Sequence, residues 1–211
     1  SPHTVGASGL DPAPDIERTQ AVTTTVLSTI HGSHLYGLAH EGSDLDLYEV
    51  VLFDDPTRKR YARQTNAEHD RMVVSLDRFI EMVGRGVPQA LEALHSPTAE
   101  FDAAYRPLLT RLRPDYAEAR ERYRRTVRSF AFNHGGRTGS ARDRVSTTKL
   151  RRHALRLLIN LEELIAGGRI EPSLTPQQVS WVKDTADRRD VLDIIEERLS
   201  GIPVRHGVDR S

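Results

Sequence analysis

The sequence predicts an α+β fold, a small sheet domain followed by a helical one, and three observations carry that prediction. Runs of β-branched and apolar residues with strand character are confined to the stretch between Val22 and Leu76. From Ser75 onward the apolar spacing changes to the three- and four-residue steps of helices. Glycine and proline fall at the joints between these runs, where helix stops and first-turn residues belong.

Taken in order, residues 1–20 are rich in Pro, Gly and Ser, lack apolar periodicity and read as a flexible leader. "VTTTVLSTI" from Val22 is a strand ended by the turn at His31-Gly32. Leu45 to Phe53 is a second strand, closed by the turn signal "DDP", and "RMVVSL" at Arg71 to Leu76 is a weaker third. Ser75 can cap a helix through Phe79, Ile80 and Val83 that stops at Gly84 and Gly86, and Pro88 opens the next through Leu91 and Leu94. Further helical stretches run over Tyr105 to Leu112, Tyr116 to Phe132, Thr147 to Ile165 and Pro176 to Leu199. In the clearest of them Leu150, Leu157, Leu161 and Leu164 form one stripe before the stop at Gly167-Gly168. The expected organisation is therefore leader 1–20, sheet domain 21–104 and helical domain 105–211.

Composition narrows the classes. A chain of 211 residues has enough core to fold without staples, and it has no cysteine, so disulfides are excluded and a cytoplasmic setting is expected. No apolar run is long enough to cross a bilayer, so no membrane partner is expected. Lys plus Arg and Asp plus Glu both number 30, but Arg120 to Arg156 holds twelve basic residues against two acidic ones. That asymmetry suits either an anionic ligand or a solvated helical face.

The stretch that carries chemistry is "GSHLYGLAHEGSDLDLYEV", Gly32 to Val50. In a strand, residues i and i+2 share a face, so Asp44 and Asp46 project together while Leu45 and Leu47 project to the other side. Two carboxylates held that close repel unless a cation lies between them, and Mg²⁺ takes such hard oxygen ligands together with phosphates. Gly32 and Ser33, at a strand exit, allow close approach of backbone and offer a hydroxyl to an anion. Alone, a Gly-Ser pair is an ordinary turn and an Asp-x-Asp an ordinary strand end; in this order and spacing they describe a nucleoside-triphosphate site.

The same stretch resembles the signature of the DNA polymerase beta-type nucleotidyltransferases, a Gly-Ser turn followed about a dozen residues later by an acidic-apolar-acidic strand. With "LYG" (Leu35 to Gly37), "VVSLDRF" (Val73 to Phe79), "ALEAL" (Ala90 to Leu94) and "KLRRHALRLL" (Lys149 to Leu158), it is similar to the bacterial and phage nucleotidyltransferases of the RNA-repair-pathway polymerase beta family. The resemblance covers Val22 to Leu174. It implies a mixed sheet with flanking helices as the nucleotidyltransferase core, then a helical substrate domain. It further implies that Gly32 and Ser33 hold the triphosphate and that Asp44 and Asp46 bind metal, two Mg²⁺ ions or Mn²⁺ in their place. A third carboxylate is expected on a neighbouring strand. Asp70 is the choice, because a strand starting there aims it to the side of Met72 and Val74; Glu68 shares that parity and Asp77 lies in the following helix. Glu92 matches an acid common in the family, with a surface helix glutamate as the other reading. Val87 stands before Pro88 where relatives tend to have a polar residue.

Lys149, His153 and Arg156 fall at steps of four and three on one helix and share a face. They either grip a triphosphate or polynucleotide backbone, as the resemblance implies, or form an ordinary wet face. The loop from Asn133 to Thr148 is glycine-rich and basic, a linker or a flap over a polyanion. His31, His34 and His40 lack the spacing of a zinc site, and His34 is a candidate nucleotide contact.

The expected function is Mg²⁺-dependent transfer of a nucleoside monophosphate from an NTP to a hydroxyl, with an RNA 3′ end favoured as acceptor. The rival is a non-catalytic module of the same fold, an antitoxin or nucleotide sensor, which a missing third carboxylate would support. Oligomeric state and base preference are not encoded in any of these features.

Overall fold

A computed structural model describes residues 24–53, 61–65, 69–132 and 146–203. The leader, Glu68 and the loop from Asn133 as far as residue 145 lie outside the described residues. Strand β1 (Thr24–His31) passes directly into the short helix α1 (Gly32–Tyr36), and β2 (Leu45–Leu52) returns antiparallel to β1. β3 (Tyr61–Thr65) and β4 (His69–Ser75) follow, then helices α2 (Leu76–Gly84) and α3 (Pro88–His95) and a two-residue edge strand β5 (Glu100–Phe101). The remainder is helical: α4 (Arg106–Leu109), α5 (Tyr116–Phe132), α6 (Thr147–Gly167), α7 (Pro176–Ala186) and α8 (Val191–Ser200).

The five strands form one mixed sheet in the order β3-β4-β2-β1-β5, with β2 and β4 parallel and the other neighbours antiparallel. The α+β class and the mixed sheet are as the sequence predicts. β3 and β5 are additions, and the helical stretch expected over Tyr105 to Leu112 is a single turn. Pro176 to Leu199 is two helices, because the segment between Ala186 and Val191 breaks the run. The start of α3 and the end of α6 fall where the punctuation places them. Pro88 opens α3, and Gly168 closes α6 in the left-handed conformation with φ 69°.

Alternation along the strands decides which face is covered. Leu27 and Thr29 of β1, Tyr48 and Val50 of β2, and Met72 and Val74 of β4 occupy one face, where Tyr48 meets Phe79 of α2 with ring centroids 6.2 Å apart. That face continues into a single cluster of buried residues from Val26 to Ile202, so residues on both sides of 104 share a core.

Helix α6 is the spine of the helical half. A one-sided leucine stripe is expected for it, but every residue from Ala154 to Leu161 is buried, because α5, α7 and α8 all pack against it. Each fully buried leucine among these contributes about 1.5–3 kcal/mol, which is what holds a helix so rich in arginine in the interior. Among the described residues no helix is long and apolar enough to cross a membrane.

Candidate active site

The end of the sheet where β1 leaves for α1 gathers the residues with reactive side chains. Gly32 takes φ +66°, a left-handed conformation that a residue with a side chain adopts only under strain. It has a second reason to be glycine, since a Cβ there would lie 1.9 Å from Asp46 Oδ2. His31 is the cross-strand partner of Asp46 on one side, and Asp70 is its partner on the other through the parallel β2–β4 pairing. Adjacent strands run about 4.8 Å apart and paired residues share a face, so Asp46 and Asp70 are side by side. Asp44 stands exposed just before β2.

One cleft of about 1130 Å³ brings these groups together with the helical half. Gly32, Ser33, Asp44, Asp46 and Asp70 line it from the sheet side, and Lys149, His153 and Arg156 line it from α6. Eight of the nine residues singled out in the sequence thus line one wall of the cleft or the other. His34 is not among the lining residues. It is exposed, and its Nε2 donates to the Ser43 carbonyl oxygen at 3.1 Å, pinning the loop that leads back to Asp44. Ser43 Oγ in turn accepts from the His40 amide at 2.9 Å.

Three cleft residues on α5 escape a sequence reading focused on α6. Arg122, Thr126 and Phe130 recur at steps of four and present one face to the cleft. The signal was the spacing itself, masked by the arginines that surround it. Most of those arginines have partners within the chain: Arg122 reaches Glu118, Arg128 reaches Glu196, and Arg124 donates to the carbonyl oxygens of Leu199 and Ile202.

The three α6 residues differ in kind. Lys149 is exposed at the helix start, beside Ser146, whose side chain caps the helix by accepting from the Lys149 amide. His153 is expected as a potential cation, and the structure corrects this. Burial first, then the charges of Arg156 and Lys149, push its imidazole down to about 4, so it is a neutral ring near pH 7. It is packed between Phe130 and Tyr36, at centroid distances of 5.5 and 6.4 Å.

Arg156 is buried and held from below. Its Nη1 donates to Glu92 Oε1 at 2.6 Å, and its guanidinium carbon lies 3.5 Å from the Tyr36 ring centroid. Burial works against its charge, and Glu92 together with Tyr36 more than reverses that. Glu92 has no exposed surface, which overturns the surface-glutamate reading. Burial would raise its carboxyl, but Arg156, followed by His31 and Tyr36, holds it down at about 2. The pair is therefore ionised in the buried part of the cleft wall.

Metal-ligating capacity follows from the donor set. Among the described residues no group of three or more His, Asp or Glu side chains is gathered closely enough to hold a metal ion. The neighbouring Asp46 and Asp70 nevertheless fit Mg²⁺, which is commonly bound by one or two carboxylates and fills its octahedron with water and substrate phosphates. Asp44 is a further oxygen donor along the same cleft.

A mixed sheet with a Gly-Ser turn at a strand exit, acids on two neighbouring strands and a helical wall opposite them is the arrangement of a polymerase beta-like nucleotidyltransferase. The chain belongs to the RNA repair pathway DNA polymerase beta family, whose family model matches residues 13–200. The match is wider than the stretch from Val22 to Leu174 that carries the resemblance, and it takes in α7 and α8. No curated protein matches the chain.

Proposed function

We propose that the protein transfers a nucleoside monophosphate from an NTP to a hydroxyl acceptor and releases pyrophosphate. The observation that carries this reading is the register of β2 and β4, which sets Asp70 beside Asp46, opposite the Gly32-Ser33 turn and within one cleft. In the reaction the acceptor oxygen forms a bond to the α-phosphorus and the bond from that phosphorus to the bridging oxygen of the β-phosphate breaks. The electron pair leaves with pyrophosphate, and the hydroxyl proton passes to a carboxylate of the acidic set or to water. Magnesium or manganese held by Asp46 and Asp70, with Asp44 a further donor along the cleft, would neutralise charge on the attacking and leaving oxygens.

The chain's own groups have separable tasks in this reading. Ser33 and the turn before it hold the β- and γ-phosphates, Lys149 adds a mobile positive charge from the opposite wall, and Phe130 with the neutral His153 offers an apolar flank. The non-catalytic alternative drew its support from a missing third carboxylate, and Asp70 stands in register to serve as one. An RNA end is the favoured acceptor because of the family's place in RNA repair. Pyrophosphate release from each NTP, in the presence of Mg²⁺ or Mn²⁺ and of RNA ends, DNA ends or protein alone, tests the reading. Release with none of these combinations contradicts it.

A further inference from the structure

A single buried carboxylate contacts both ends of the Gly32-Ser33 turn. Glu92 Oε2 accepts from Tyr36 Oη at 2.6 Å and lies 3.2 Å from His31 Nε2. His31 is the residue immediately before Gly32, and Tyr36 is the last residue of α1. The other oxygen, Oε1, accepts from Arg156 Nη1 at 2.6 Å, and Arg156 stacks on the same Tyr36 ring. Four elements, β1, α1, α3 and α6, thus converge on one side chain that is fully buried. The α1 end is tied down a second time from the C-terminal half, where Ser173 Oγ donates to the Leu35 carbonyl at 2.8 Å and the Leu174 amide to that of Tyr36 at 3.3 Å.

We infer that Glu92 is a positioning residue for phosphate binding, which fixes the Gly32-Ser33 turn at both ends and sets it against the α6 wall through Arg156. The inference rests on the nucleotidyl-transfer reading of the cleft. Physical reasons favour a placing role over simple support. A short turn that must meet phosphate oxygens with hydrogen-bond geometry tolerates displacements well below an ångström. Apolar packing would fill the same space but would not fix direction, whereas a carboxylate with oriented hydrogen bonds from Tyr36 and Arg156 and a close approach to His31 does. The arrangement also links Ser33 to Lys149 through the Glu92–Arg156 ion pair, since Arg156 and Lys149 lie on one helix.

The test compares triphosphate with monophosphate binding, so it needs no turnover. The probes are the α,β-methylene analogues of the four ribonucleoside triphosphates and the matching monophosphates, with Mg²⁺ and the full chain. Tyr36→Phe removes one hydroxyl and keeps the ring under Arg156, so it carries the test even where Glu92→Gln does not fold. Releasing one end of the turn should weaken triphosphate binding roughly three- to tenfold, the value of one hydrogen bond, and leave monophosphate affinity unchanged. In a Ser33→Ala background the same substitution should cost far less, because both act on one contact. Equal losses for the two ligand classes, or additive losses in the double variant, would overturn the inference while leaving the function standing. Failure of the unsubstituted protein to bind any of the triphosphates would overturn both.

Discussion

Gly32 leaves the space that the Asp46 carboxylate occupies, with 1.9 Å between Asp46 Oδ2 and the place where a Cβ on Gly32 would stand. The turn and the acidic strand are therefore fitted to each other by the lack of a side chain. Gly32→Ala should cost stability twice, about 1–2 kcal/mol for the left-handed backbone and a further amount for moving Asp46. Thermal unfolding should show a lowered midpoint, and nucleotidyl transfer should fall more than the fraction unfolded explains. Gly42→Ala is the control, because its φ is also positive, at 83°, and a Cβ there meets nothing within 4 Å.

Asp46→Asn and Asp70→Asn should each reduce metal-dependent transfer by roughly a hundredfold or more, the scale of losing several kcal/mol of charge stabilisation. The unfolding midpoint of the metal-free protein should change little, since neither substitution alters shape. A sharp drop in that midpoint would assign the two acids a structural role instead.

Much of this site is local in sequence, and that is why it was legible. The Gly-Ser turn at the exit of β1 and the aim of Asp70 beside Met72 and Val74, on the face of Asp46, follow from strand alternation once the strands are found. Glu92 was not legible in the same way. Its burial depends on Tyr36 and Arg156, which are 56 and 64 residues distant, and nothing within "ALEAL" separates a buried acid from a surface one. The same holds for Arg156, whose spacing placed it on the cleft face but gave no sign of its buried ion pair with Glu92. β5 has two residues, too few for any periodicity, and the break between α7 and α8 has neither Gly nor Pro to announce it.

Lys149 and Arg156 lie on the same face and should respond differently to charge reversal. Lys149 is exposed, so Lys149→Glu should leave folding intact and weaken triphosphate binding by about 1.5–3 kcal/mol, with the loss reduced at high salt. Unchanged affinity across a salt series would return Lys149 to an ordinary wet surface. Arg156→Glu would bring a second carboxylate against Glu92 in the interior, and should destabilise the fold by about 3–5 kcal/mol or more. Chemical denaturation of the two variants separates these outcomes.

Acid should destabilise the protein in two steps. His153 and His95 are held down to about 4 from an ordinary 6.5, in both cases by burial first and then by neighbouring cations. Between those values the unfolded chain binds protons that the folded one refuses, so stability falls as pH falls through that window. Glu92, held at about 2 against an ordinary 4.5, contributes stability that is complete above the higher value and lost as pH falls toward the lower. Unfolding midpoints measured against pH should show both declines. His153→Phe should shrink the upper one, and an unchanged upper decline in that variant would contradict the neutral assignment.

The central claim is tested most directly by following label from an α-labelled NTP into an acceptor, with the unsubstituted protein and Asp70→Asn run side by side in Mg²⁺. The account predicts labelled product and released pyrophosphate in equal amounts for the first, and loss of both for the second with nucleotide still bound. Transfer that persists in Asp70→Asn, or transfer that is indifferent to removal of the divalent ion, would contradict it.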